Sequence, residues 1–137
     1  MTDETRSHSP PRNAFGRLIG MRIDDTAEGV CHSHLDTRED HFNPIGVMHG
    51  GVLFSLSDTS MGAAVYSLLG PDEICTTVEM KINFMRPVTK GRVECVTSVL
   101  RRGRTTAVLE SKLICGEQLV AVALGTYAIL PKPPDAP

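Results

Sequence analysis

Between Gly50 and Leu69 the chain carries one charged side chain, Asp58, in a run that is otherwise apolar, small or hydroxylic. Leu53, Leu56, Ser57, Met61, Ala64 and Leu68 recur at helical spacing, which predicts a helix starting near Gly50. Gly70-Pro71 is expected to end it, the glycine as a C-terminal cap and the proline as a residue that cannot continue a helix. A helix this apolar on all sides must be buried on most of them. That requirement limits the folds open to the chain, because the rest of the sequence has to supply a layer for the helix to lie on. The run approaches the length of a membrane span, but Asp58, the Ser and Thr residues and the strand-like segments that follow argue for a core helix instead.

The covering layer is legible downstream. From Ile74 the pattern changes to period two: residues 77–84, 92–99, 105–115 and 119–130 read as strands. Lys90-Gly91, Arg102-Gly103-Arg104 and Gly116-Glu117 read as hairpin-type turns between them. Upstream, residues 17–24 and 30–35 read as two short strands with a turn over residues 24–29, and residues 36–47 as a loop broken by Asn43-Pro44 and Gly46. Short connections favour an antiparallel sheet, and one buried helix against such a sheet is an α+β arrangement. The length of 137 residues fits a single domain, placed over residues 15–130. Residues 1–14, polar and lacking the apolar core of a secretory signal, and the Pro-rich residues 131–137 are expected to be flexible extensions.

Composition removes some classes of function. A net charge of −2 gives no electrostatic reason to expect nucleic acid or an anionic membrane as partner, and a chain without Trp is a poor base-stacking platform. Cys31, Cys75, Cys95 and Cys115 form no C-x-x-C pair and sit in strand-like runs, where reduced Cys behaves as a small hydrophobe; a cytoplasmic location is the expectation. A carboxylate is costly to bury unless it is paired, hydrogen-bonded or used, so Asp58 is a candidate general base or nucleophile. The plain alternative is a buried polar contact.

The run Asn43-Pro44-Ile45-Gly46-Val47-Met48-His49-Gly50-Gly51 followed by Asp58 resembles the hotdog-fold acyl-CoA thioesterases, and within them the phenylacetate-degradation group. The resemblance continues through residues 77–80 and 83–87, the Arg102-Gly103-Arg104 turn and residues 121–127, so it covers roughly residues 17–130. It implies an antiparallel sheet wrapped around one long central helix, a homodimer at minimum and a homotetramer built from two such dimers. It also implies hydrolysis of an acyl-CoA thioester to the carboxylic acid and free CoA, without a metal or redox cofactor.

A helix N-terminus presents unsatisfied N–H groups and partial positive charge, and glycine lets a thioester carbonyl approach them. The N–H of Gly50 or Gly51 is therefore a candidate oxyanion donor, unless the two glycines serve only a tight turn. Asp58 lies two helical turns further on, ~12 Å away along the axis at ~1.5 Å per residue, too far for both to act on one carbonyl within a subunit. Two such helices running antiparallel across a two-fold axis would bring Gly50 of one subunit to Asp58 of the other. Asp58 would then activate a water or attack the carbonyl itself. Asn43 and His49 would line the acyl end, His49 having a loop-holding hydrogen bond as its alternative role.

The resemblance assigns further residues. Thr77 matches the Ser or Thr that positions the water, although it also suits an ordinary strand. Gly51, Phe84, Met85, Arg86, Pro87, Val88 and Thr89 are placed near the CoA, together with the basic hairpin Arg101, Arg102, Gly103, Arg104 and Thr105. Arginine suits phosphate because its donors form a planar fork, but a solvated hairpin tip would look the same. Phe54, Leu53, Met61 and Met85 are expected to make an apolar acyl pocket for an aryl or medium-chain group. Acyl-carrier-protein thioesters fit the same residues.

Three rival readings fit parts of the sequence. His32, His34 and Glu39 match part of a cupin metal motif, but a long helix does not suit an all-β barrel. R-specific hotdog hydratases need His five residues after the Asp, where this chain has Ala63. A non-catalytic acyl-CoA sensor would keep the pocket without needing Asp58.

Overall fold

The computed structural model describes residues 13–136. A short helix α1 (Ala14–Ile19) leads into strands β1 (Met21–Ala27) and β2 (Val30–Asp36), then a single 3-10 turn (Glu39–His41) and the long helix α2 (Gly50–Tyr66). Four longer strands follow: β3 (Glu73–Phe84), β4 (Arg92–Arg102), β5 (Thr106–Cys115) and β6 (Gln118–Pro131). All six strands join one sheet in the order β1-β2-β4-β5-β6-β3, and every pairing is antiparallel. The α+β arrangement expected from the sequence is the one observed.

Helix α2 lies across one face of this sheet. Leu53, Leu56, Ser57, Ser60, Met61, Ala64 and Val65 point inward. Toward the helix start they pack with Leu35, Val93, Cys95, Leu113, Val120 and Ala121, and toward its end with Cys31, Ala107, Leu109, Ala123, Tyr127 and Ile129. Gly125 of β6 makes room for the helix: an added Cβ there would lie 2.6 Å from the Met61 sulfur. Leu53 and Met61 thus belong to the core, while Phe54 and Met85 are the exposed members of the expected acyl pocket. Gly51, Phe54 and Tyr66 face outward, so the helix is covered on one broad face and open on the other.

Four local expectations need correction. Residues 17–24 are not one strand: Asn13 caps a helical turn by accepting the Gly16 N–H at 2.8 Å, and left-handed Gly20 (φ 79) closes it before β1. A helix of six residues is too short to declare itself by periodicity. The turn expected over residues 24–29 shrinks to Glu28 and Gly29, both at positive φ, as a two-residue hairpin requires. Asp24 and Asp25 stay in β1 because His34 Nδ1 and His32 Nδ1 bond their carboxylates at 2.8 Å and 2.7 Å. Helix α2 ends before Gly70, at Ser67, whose hydroxyl donates to the Ala64 carbonyl and accepts the Gly29 N–H. Lys90-Gly91 is no hairpin turn, since β3 pairs only with β6 whereas β4 lies between β2 and β5. The segment from β3 to β4 instead crosses from the sheet edge to its interior. The turns at Gly103 and Gly116 are hairpins as expected.

Candidate active site

The loop before α2 is held by its own polar groups. Asn43 Oδ1 accepts the N–H groups of Ile45 and Val47 at 3.0 Å and 3.3 Å, and Gly46 turns back at φ 83. His41 is buried beneath the loop, accepting the Arg38 N–H at Nδ1 and donating from Nε2 to the Ile19 carbonyl. Its backbone carbonyl takes the His49 N–H at 2.7 Å. His49 is the N-cap of α2, and its Nδ1 accepts the Gly51 N–H at 2.8 Å. Two of the sequence candidates therefore have structural work here: Asn43 shapes the loop and His49 caps the helix. The cap also separates the two glycines. Gly51 has given its N–H to His49, while the Gly50 N–H meets no acceptor among the described residues.

Two turns further along α2, the Asp58 carboxylate meets the sheet. Thr77 Oγ1 donates to Asp58 Oδ1 at 2.8 Å, and the Tyr127 hydroxyl reaches the same oxygen at 2.6 Å. That hydroxyl also lies 2.6 Å from the Asp58 backbone carbonyl, so its proton is shared between two acceptors of one residue. Asp58 Oδ2 has no partner among the described residues.

The backbone explains why two hydroxyls converge. Thr77 of β3 and Tyr127 of β6 are directly paired, and directly opposed residues of an antiparallel ladder project from the same face. A β-bulge interrupts the ladder just beyond them, between Thr77 and Glu79. The extra residue, Val78, resets the alternation, so Thr77 and Met80 both turn toward α2 while Glu79 takes a hydrogen bond from Thr126. Burial, and then the hydrogen bond to Asp58, raise the Tyr127 phenol well above its ordinary range, so it stays protonated as a donor. Cys75, on the Thr77 side of β3, is likewise pushed up by burial and donates weakly to the Gly62 carbonyl.

Tyr127 was not among the site residues drawn from the sequence. A Tyr at a core-facing strand position needs a partner for its hydroxyl, and Asp58 is the one charged acceptor on the facing helix.

The proposed CoA residues fall into separate groups. Phe84, at the end of β3, lies against the helix start: a Cβ on Gly50 would sit 2.9 Å from its ring. Phe84, Met85, Arg86, Pro87 and Thr89 are exposed, but the Val88 side chain is in the core and its carbonyl accepts the Met48 N–H. Arg101, Arg104 and Thr105 are exposed at the β4–β5 turn. Arg102 is already engaged, bonding Glu73 at 2.6 Å and the Gly103 carbonyl at 2.8 Å, while Gly103 closes the turn onto the Thr106 carbonyl. Among the described residues no three His, Cys, Asp or Glu side chains gather in a metal-binding group, and His32 and His34 are each paired with an Asp.

A family model described as the thioesterase superfamily matches residues 45–122, from the loop that shapes the start of α2 to the middle of β6. The chain belongs to the thioesterase superfamily. It has the hotdog fold, and it is an enzyme of the thioester-hydrolase class. It is 27% identical to the 1,4-dihydroxy-2-naphthoyl-CoA hydrolase of Listeria monocytogenes, over 83% of this chain and 94% of that one. A conserved protein of Pseudomonas aeruginosa superposes with a TM-score of 0.84 and is 41% identical over 88% of this chain and 100% of that one. A variant of the phenylacetic acid degradation protein PaaI from Thermus thermophilus superposes with a TM-score of 0.77, at 27% identity over 83% of this chain and 96% of its own. Among the described residues no helix is long and apolar enough to cross a membrane.

Proposed function

We propose that this thioesterase hydrolyses an aryl- or medium-chain acyl-CoA in sites shared between two subunits and without a metal or redox cofactor. The observation that carries the reading is the Asp58 carboxylate, fixed on one oxygen by Thr77 and open on the other, on a helix whose first N–H at Gly50 is unengaged. The Gly50 N–H of one subunit would polarise the thioester carbonyl, and Asp58 of the other would deliver a water or attack directly. Relatives named as a CoA-thioester hydrolase and as a phenylacetic acid degradation protein support the substrate class. The exposed Phe54, Phe84 and Met85 support an apolar acyl group, and the exposed Arg86, Arg101 and Arg104 support the CoA phosphates.

The test is steady-state release of free thiol from a panel of aryl- and acyl-CoA thioesters, with Asp58→Asn beside the wild type. The nearly isosteric change keeps the hydrogen-bonding shape and removes the charge, so turnover is expected to fall about a thousandfold with the fold intact. Unchanged turnover would remove Asp58 from the chemistry. No turnover on any thioester, combined with tight CoA-ester binding, would favour the non-catalytic sensor.

A further inference from the structure

We infer that Tyr127 is a positioning residue for Asp58: it selects which carboxylate oxygen reacts, by tying Oδ1 to the interior strand β6 and leaving Oδ2 for the chemistry. The inference rests on the reading of Asp58 as the acting carboxylate. Three features of the structure support it, and none depends on a bound ligand.

The first is the distribution of donors. Both hydroxyls that reach the carboxylate choose the same oxygen, Thr77 at 2.8 Å and Tyr127 at 2.6 Å. A carboxylate with both oxygens free could turn about its side-chain torsions and offer either one. With Oδ1 held from two directions, rotation would break two hydrogen bonds to a charged acceptor, each stronger than a neutral pair. The second is the difference between the two donors. Thr77 lies on the exposed edge strand, whereas Tyr127 is 3% exposed on a strand flanked on both sides. The edge donor can be displaced by solvent or substrate, and the buried one cannot. The third is the second acceptor. By also touching the Asp58 backbone carbonyl at 2.6 Å, the Tyr127 hydroxyl fixes the height of this helical turn above β6 as well as the side chain on it. Gly62, one turn further on, leaves ordinary van der Waals room beside the ring: an added Cβ would lie 3.8 Å from it.

A phenol that only filled the core would act differently. Its removal would loosen packing and disturb substrate binding and chemistry together. A residue acting through Asp58 affects the chemical step alone and has nothing to act on once the carboxylate is gone.

The experiment is a double-mutant cycle on the full chain. It compares wild type, Asp58→Asn, Tyr127→Phe and the double variant by thiol release from an aryl-CoA, with kcat and KM resolved and thermal midpoints recorded. Tyr127→Phe keeps the ring and loses only the hydroxyl; it is expected to lower kcat about 10- to 100-fold with KM within about twofold of wild type. The double variant is expected to turn over no more slowly than Asp58→Asn alone. If kcat of Tyr127→Phe is normal while Asp58→Asn is inactive, the positioning role is wrong and the reading of Asp58 stands. If Tyr127→Phe raises KM, or slows the Asp58→Asn protein as much as the wild type, the phenol is structural and the inference is overturned. If Asp58→Asn retains full turnover, the reading of Asp58 itself fails and takes this inference with it. Where the Asp58→Asn rate is too small to resolve, the split between kcat and KM decides. Gly62→Ala serves as the control for a change beside the ring that leaves the hydroxyl in place.

Discussion

At the scale of single residues, the loop candidates combine two roles that sequence spacing cannot separate. His49 holds the first turn of α2 by accepting the Gly51 N–H, and in doing so it makes Gly50 the available donor. Replacing His49 by Ala removes an N-cap and is expected to cost about 1 kcal/mol of stability in urea denaturation, while Asn at the same position, a good cap, should restore it. If His49→Asn recovers stability but not turnover, the imidazole has a chemical part beyond capping. Restoration of both would leave it as a cap. Asp58 stood out in the sequence because nothing else charged shared its run. Its partner Tyr127 did not, because the two lie 69 residues apart and a strand Tyr reads as an ordinary core residue until its hydroxyl is followed.

Among the elements, the start of α2 offers a test of the oxyanion donor that leaves the helix alone. Gly50 is the first helical residue, and His49 before it is extended at φ −60, ψ 134. Proline is tolerated at a first helical position and accepts an extended residue before it, so Gly50→Pro deletes the N–H with little damage to the turn. Any Cβ here meets the exposed Phe84 ring, so Gly50→Ala is the matched comparison: it carries the same Cβ and keeps the N–H. Turnover of Gly50→Pro is expected to fall about 100- to 1,000-fold below Gly50→Ala in thiol-release assays. Equal rates would place the oxyanion donor elsewhere. The helix and the four long strands were legible because each carries its own period over many residues. Helix α1 was too short for that, and the misreading at Lys90-Gly91 has another cause. A Gly-containing turn signal is local, whereas the choice between pairing with the next strand and crossing the sheet is made by distant partners. The bulge at Val78 escaped for the same reason, since nothing in Thr77-Val78-Glu79 differs from plain alternation.

For the whole molecule, the outer edge of β3 is the feature that points past one chain. Among the described residues this strand pairs with β6 on one side only, and Val78 and Phe84 stand 60% and 53% exposed along it. An unpaired edge with apolar side chains is a surface for a second strand. Mixing Asp58→Asn subunits with Gly50→Pro subunits should therefore recover part of the lost turnover, as one of the two sites in each mixed dimer regains both groups. Mixed dimers that form, by mass or tag analysis, and stay inactive would end the shared-site reading. The strand order has one more consequence, for how the protein is made. Because β3 is joined to the sheet through β6 alone among the described residues, it has no strand partner when it leaves the ribosome and must wait for β6, made 34 residues later. Thr77 and Tyr127 come together in that pairing, so the carboxylate of Asp58 is oriented only after β6 has been made. A nascent chain stalled before β6 would carry its acidic side chain without the geometry to use it, and the onset of hydrolysis would report the closing of the sheet.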